Sequence, residues 1–194
     1  GPSAIRYAGL KERVHGLGLE CADWGDVTAA VAEATEAGSP NARYLAQIKE
    51  TCGRVATLVS DAANAGLLPL VLGGDHSVAM GTLGGMARAR GAGGVLWIDA
   101  HGDLNRPATS PSGNVHGMPL AAALGVAGPE FESLDWPTPS IERAVLFGIR
   151  SLDPGERALI ADLPVKVFTM TDLDRLGVET AMREALAFLS GVGF

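Results

Sequence analysis

Short apolar runs separated by longer segments of helical periodicity are the feature that most restricts the fold of this sequence. Three runs, at residues 67–72, 94–98 and 144–149, hold about five or six mostly apolar residues each, and residues 165–168 form a shorter candidate. Runs of this length without polar alternation are typical of strands buried on both faces. Strands that alternate with helices predict a three-layer α/β/α fold with a mostly parallel sheet.

Helix start and stop signals lie between these runs. Ser39 and Pro40 are predicted to begin a long helix that ends at Gly66, and a second helix is predicted from Ser77 to Gly91. Further helices are predicted over residues 118–124 and after the pair at 153–154. Each of these helices can cross over between parallel strands.

Composition narrows the range of functions. The chain has 194 residues, of which 47% are hydrophobic, and this suits one domain with a substantial core. The formal net charge of -7 argues against nucleic acid or an anionic membrane as a partner. No apolar stretch reaches a membrane-spanning length and no signal peptide pattern opens the sequence, so a cytoplasmic location is expected.

Three of the four histidines lie in short motifs next to carboxylates. His76 is in the motif at 73–77, His101 in the motif at 99–103 and His116 in the motif at 113–117. Parallel sheets bind ligands at the carboxyl ends of their strands, and the three motifs follow predicted strands, so they are expected to converge there. The alternative is that each motif is an ordinary polar turn.

Asp99, His101 and Asp103 alternate along the chain, and an extended segment would turn all three side chains to one side. Carboxylate and imidazole without thiolate favour a divalent cation bound through oxygen and nitrogen, and a bridging carboxylate suits two ions. The two cysteines form no CxxC motif, so neither a thiolate site nor a disulfide framework is expected. Asp75 is predicted to orient the neighbouring imidazole, to cap the following helix, or both.

The motifs at 73–77, 99–105 and 112–117 together resemble the ureohydrolases, and most closely the arginases. Residues 1–6 and 148–156 are similar to further segments of that family, so the resemblance covers nearly all of residues 1–194 as one domain. It implies a fragment truncated at both ends, which lacks the family's first strand and a later segment with two more metal-binding aspartates. The fragment alone is expected to be inactive and, because its sheet edge is open, prone to aggregate.

The resemblance also implies cofactor, reaction and metal ligands. Two Mn²⁺ ions are expected, one bound by His76, Asp99 and Asp103, and the other by Asp99 as a bridge together with His101. A hydroxide bridging the ions would attack the guanidinium carbon of L-arginine and give L-ornithine and urea. His116 is the candidate proton shuttle, because imidazole titrates near neutral pH. The alternative for His116 is a surface histidine or a core histidine whose hydrogen bonds are satisfied.

The substrate's amino-acid end is assigned by resemblance to six polar residues. The α-carboxylate would contact Asn105, Ser110, Ser112 and Asn114, and the α-amino group Asp153 and Glu156. Two alternatives stay open: an agmatinase or other guanidino-acid ureohydrolase, and a non-catalytic module that binds metal or an amino acid. The full-length protein is expected to form homo-trimers or homo-hexamers, as arginases commonly do.

Overall fold

A parallel three-stranded sheet forms the centre of the molecule in a computed structural model that describes residues 1–193. The strands are β1 (Gly93–Ile98), β2 (Ile141–Ile149) and β3 (Val165–Thr169), in the spatial order β1-β2-β3. Both strand pairs are parallel, with Trp97 opposite Leu146 and Phe147 opposite Phe168. The predicted parallel sheet is therefore confirmed over these three strands.

Helices cover both faces of the sheet. On β2, Ala144 and Leu146 face one core and Val145 and Phe147 face the other, as expected for a strand buried on both sides. The helices between residues 45 and 160 close the first core and the two helices between residues 170 and 189 close the second, which gives the three-layer arrangement. The helices in chain order are α1 (Pro2–Tyr7), α2 (Leu10–Gly16), α3 (Leu45–Asn64), α4 (Val78–Arg90), α5 (Pro119–Ala123), α6 (Pro154–Ile160), α7 (Met170–Leu176) and α8 (Val178–Leu189).

The strand predicted over residues 67–72 is wrong. This segment pairs with no strand within residues 1–193, and Leu68 is 93% exposed. An apolar run becomes a strand only when a neighbouring strand satisfies its backbone N–H and C=O groups. The sequence pattern indicates that the segment is apolar, but it does not indicate whether a neighbouring strand is available to pair with it.

The start of the first long helix also differs from the prediction. Helix α3 begins at Leu45 rather than after Ser39, because the backbone of the preceding residues is already used. The Arg43 N–H donates to the carbonyl of Gly113 over 2.9 Å, and these two segments of the chain form a short parallel bridge at Arg43 and Asn114. A tertiary contact thus replaces the first helical turn, and it ties this segment to the loop predicted to bind substrate.

Cys52 links α3 to the turn that carries His76. Its side chain is 1% exposed, and its Sγ donates to the carbonyl of Ser77 over 3.3 Å. Burial raises the pKa of the Cys52 thiol to about 11, so the group stays neutral and acts as a small packing residue with a weak donor. Within residues 1–193, no helix combines the length and the apolar content needed to cross a membrane.

Candidate metal centre

The segment that follows β1 is held by backbone hydrogen bonds to the end of β2. The N–H of Asp99 donates to the carbonyl of Phe147 over 3.2 Å, and the N–H groups of Arg150 and Ser151 donate to the carbonyl of Ala100 over 2.9 and 3.0 Å. Parallel pairing continues as far as a bridge between His101 and Ser151. The backbone of Asp99 and His101 therefore continues the pairing of the sheet.

Three candidate ligands converge at this edge of the sheet. The Nδ1 of His76 lies 3.1 Å from Asp99 Oδ2 and 2.7 Å from Asp103 Oδ2. One ligand atom from each residue can be chosen so that all three lie within 4.8 Å of one another. His76 comes from the turn before α4 and the two aspartates from the chain after β1, so separate elements supply one site.

Asp103 reaches the site through a left-handed backbone conformation. Its φ is +50°, and its carbonyl accepts the N–H groups of Leu120 and Ala121 at the start of α5. Alternation along an extended strand, on which the sequence prediction depended, therefore does not describe how Asp103 points inward. The first turn of α5 fixes this conformation, because its free N–H groups need acceptors.

The donor set fits a cation. Asp103 is 6% exposed, and its Oδ2 is a buried atom that lies 2.7 Å from the Nδ1 of His76 and accepts no hydrogen bond from any other described residue. A buried carboxylate oxygen that lacks a donor is costly unless a positive charge offsets it. Carboxylates with one imidazole are suitable ligands for a divalent ion.

The charges around His76 also favour a cation at this site. The contact with Asp103 is the main reason why the pKa of His76 is raised, partial burial opposes this shift, and the charges of Asp103, Asp99 and Asp75 add to it. The acidic surroundings therefore favour positive charge at the imidazole. A metal ion would compete with the proton for the same Nδ1 atom.

Asp99 lies between two histidines. Its Oδ2 faces His76, whereas its Oδ1 accepts the N–H of His101 over 2.9 Å and lies 3.2 Å from the Nδ1 of His101. His101 is outside the three-residue cluster, and 64% of its side chain is exposed. A carboxylate with one oxygen directed at each imidazole has the arrangement of a bridge.

His116 contacts Asp75, the residue before His76, and not one of the candidate metal ligands. It lies in a single 3₁₀ turn (Val115–Gly117), and its Nδ1 is 3.2 Å from Asp75 Oδ2. The other oxygen of Asp75 accepts from the backbone and hydroxyl of Ser77, which leads into α4. Ser77 is the N-cap of α4 and Asp75 lies two residues before it, so the cap predicted at Asp75 is instead a turn that leads into the helix. The imidazole partner of Asp75 is His116 and not His76.

Two of the six predicted substrate residues are brought together by the structure, and a third supports them. Asn105 donates through Nδ2 to Asp153 Oδ2 over 2.7 Å. Glu156 is 3% exposed, and its two oxygens accept the N–H groups of Leu104 and Asp153 over 3.0 and 2.8 Å. Burial raises the pKa of Glu156, and the two backbone donors oppose this shift. Glu156 thus fixes the start of α6 against the metal loop.

Of the other three predicted substrate residues, the two serines make local side-chain contacts, and Asn114 takes part through its backbone. The Oγ of Ser110 accepts the N–H of Gly113 over 3.0 Å, and the Oγ of Ser112 accepts the N–H of Asn114 over 3.2 Å. These bonds shape the loop, and they are also what an ordinary polar turn would show. Their role toward a substrate stays a prediction.

Sequence reasoning missed two contacts at the site. It did not pair His116 with Asp75, because residues 41 positions apart give no local signal. Nor did it indicate that Trp97, a core residue with an exposure of 5%, stacks its indole on His76. The period of two along β1 was the available signal, since Trp97 and Asp99 lie on one side of the strand.

Comparison with known proteins agrees with this site. Residues 1–193 match the model of the Arginase family. The chain is 46% identical to the arginase of Bacillus caldovelox over 192 residues, 97% of this chain and 64% of that protein. It is 47% identical to the arginase of Brevibacillus brevis over 98% of this chain and 64% of that protein. The chain thus spans a little under two thirds of these relatives.

Solved structures give the same result. The native arginase structure from Bacillus caldovelox at pH 5.6 superposes with a TM-score of 0.93 at 45% identity, covering 99% of this chain and 66% of that one. The Entamoeba histolytica arginase in complex with L-ornithine superposes with a TM-score of 0.84 at 29% identity, covering 99% and 65%. A formimidoylglutamase from Bacillus subtilis shares the fold, with a TM-score of 0.64.

Fold and site together define an α/β protein with a carboxylate and imidazole cluster, suited to a metal, at the carboxyl edge of a parallel sheet. The chain belongs to the Arginase family.

Proposed function

We propose that the complete protein is an arginase that binds two Mn²⁺ ions and hydrolyses L-arginine to L-ornithine and urea. The observation that carries this proposal is Asp99, whose two carboxylate oxygens are directed at His76 and His101. The similarity to proteins named arginase over 97% of the chain supports the reaction. The L-ornithine in the Entamoeba histolytica structure is the product expected from L-arginine.

The geometry around Asp99 supports the proposed metal ligands. His76, Asp99 and Asp103 would hold one ion, and Asp99 and His101 the second. Four protein ligands are few for two oxygen-preferring ions, so further carboxylates of the complete protein are proposed to complete both sites. When bound, the ions lower the pKa of a shared water toward neutrality and so provide the nucleophile.

His116 is proposed to move the proton that the departing amine needs. Asp75 is placed to accept a hydrogen bond from Nδ1, which leaves Nε2 as the atom that can exchange protons. Because 53% of the His116 side chain is exposed, a proton can also return from solvent. This is general acid catalysis by an imidazole with one fixed nitrogen.

The loop at residues 105–114 and the start of α6 are proposed to bind the amino-acid end of the substrate. Asn105, Ser110, Ser112 and Asn114 would contact the α-carboxylate. Asp153 would contact the α-amino group, with Glu156 holding the backbone of Asp153 in place. We also expect a cytoplasmic homo-trimer or homo-hexamer.

An agmatinase would not need the carboxylate contacts, and this gives a test of specificity. Ser112→Ala and Asn114→Ala are expected to raise KM for L-arginine about tenfold each, since each loses about one hydrogen bond to a charged group. KM for agmatine, which lacks the α-carboxylate, is expected to change less than about twofold. Steady-state urea release with both substrates measures this, and equal losses for both would contradict the proposed specificity.

The proposed activity itself is tested on the protein expressed from its complete reading frame. After chelation and dialysis, Mn²⁺ is expected to restore urea release from L-arginine, and residues 1–194 alone are expected to release none. A complete protein that binds Mn²⁺ but releases no urea from any guanidino substrate would favour the non-catalytic alternative.

A further inference from the structure

The contact between His76 and Trp97 assigns a role to a residue of the hydrophobic core. We propose that Trp97 is a positioning residue, whose indole face sets the plane of the His76 ring so that Nδ1 points at Asp99 and Asp103. The proposal rests on the metal-binding role of His76 proposed above. If so, a residue of the hydrophobic core contributes to the metal affinity of the site.

The geometry is that of a stacked pair. The two ring centroids are 4.4 Å apart and the ring planes are inclined by 26°. Trp97 is 5% exposed and lies on β1 opposite Leu146, so packing on the central strand holds the indole in place. His76, with 42% of its side chain exposed, rests on this fixed surface.

Among the described residues, no hydrogen bond to the second ring nitrogen orients the His76 ring. A metal-binding histidine usually donates its second ring N–H to a carboxylate, a carbonyl or water, which fixes the ring. Within residues 1–193 the polar contacts of the His76 ring are made by Nδ1, toward Asp99 and Asp103, and none is made by the second nitrogen. The indole supplies the restraint that a hydrogen bond supplies elsewhere.

The backbone around His76 adds to the need for this restraint. The residues before it, 67–72, belong to no strand, and Gly73 and Gly74 are exposed. The carbonyl of His76 accepts one hydrogen bond, from the N–H of Ala79, over 3.0 Å. The stack therefore adds a restraint to a side chain that follows a segment without strand pairing.

The chemistry of the pair suits a cation. An imidazole that carries a proton or a metal ion is electron-poor, and it is attracted to the electron-rich face of an indole. The Nε1 of Trp97 is buried without a hydrogen-bond partner among the described residues. No polar contact thus explains an indole at this position, whereas its broad ring face does.

The experiment uses the complete protein, stripped of metal, and three variants. Trp97→Phe keeps a ring face, Trp97→Leu removes it, and Trp136→Leu is the matched control, because Trp136 is 7% exposed in the same core cluster but makes no stacking contact with His76. Calorimetric titration with Mn²⁺ gives Kd, and thermal unfolding gives Tm. Trp97→Leu is expected to weaken Mn²⁺ binding about tenfold or more and Trp97→Phe less than about threefold. Trp136→Leu is expected to lower Tm without changing Kd.

Indole fluorescence supplies a second readout that does not depend on activity. Addition of Mn²⁺, a paramagnetic ion, to the wild-type protein is expected to quench tryptophan emission, and the quenching is expected to be lost in Trp97→Phe. If Trp97→Leu does not fold, the Kd of Trp97→Phe remains the test of positioning, and a loss of about tenfold or more there would contradict the role of the ring face. Full quenching in Trp97→Phe would place the responding indole elsewhere and overturn the proposal.

A double variant separates positioning from loss of core volume. In the His76→Ala background, Trp97→Leu is expected to have no further effect on Mn²⁺ affinity. An equal loss in both backgrounds, an unchanged Kd in Trp97→Leu, or an equal loss in Trp136→Leu would each overturn the positioning role. A wild-type protein that binds no Mn²⁺ would instead overturn the metal role on which the inference rests.

Discussion

Asp99→Asn is expected to lower kcat/KM for L-arginine by about 10³-fold or more, because activation of water by metal is worth several kcal/mol. The substitution keeps the size of the side chain but removes the negative charge between His76 and His101. Asparagine retains one uncharged oxygen, so one proposed ion loses its Asp99 ligand and the other keeps only a neutral one. Urea release at saturating Mn²⁺, together with metal content after dialysis, measures the two consequences.

Asp162→Asn is the matched control for this substitution. Asp162 is exposed before β3 and is not among the candidate ligands, so both activity and metal content are expected to stay at the wild-type level. If Asp99→Asn retained two bound ions per protomer, or lost less than about tenfold in activity, Asp99 would not bridge the metals.

Gly113→Ala is the second change with a large expected effect. Gly113 has a φ of +67°, and a Cβ built at this position would overlap the carbonyl oxygen of Pro40. The carbonyl of Gly113 also accepts the N–H of Arg43, so this residue fixes the predicted substrate loop against the start of α3. We expect a loss of about 2–4 kcal/mol of stability and a rise of about tenfold in KM for L-arginine.

Gly117→Ala provides the control within the same motif. A Cβ at Gly117 would meet no heavy atom within 4 Å, and its φ is not in the left-handed region. Thermal unfolding and urea release are expected to stay close to wild type, with a change in stability within about 0.5 kcal/mol. Similar losses in both variants would mean that the close packing of Gly113 on Pro40 is not what shapes the loop.

The sheet was predictable where its strands have partners within the chain. Residues 94–98, 144–149 and 165–168 are predicted as strands and form β1, β2 and β3, because each has a parallel neighbour to pair with. Residues 67–72 have the same pattern but no partner within residues 1–193. Periodicity records which residues avoid water, whereas a strand also needs a hydrogen-bonding neighbour.

The metal cluster was predictable from motifs, but its geometry was not. The carboxyl ends of parallel strands share one edge of a sheet, and for this reason His76 and Asp99 were expected to meet. The left-handed turn at Asp103 and the hydrogen bond between His116 and Asp75 depend on α5 and on a turn far away in the sequence. No local pattern carries that information.

Anomalous diffraction at the manganese absorption edge, from crystals of the complete protein soaked in Mn²⁺, tests the central claim most directly. Two anomalous peaks are expected per protomer, one beside His76 and one beside His101, with a different oxygen of Asp99 bound to each ion. A single peak, or two peaks of which Asp99 contacts only one, would contradict the two-ion centre proposed here.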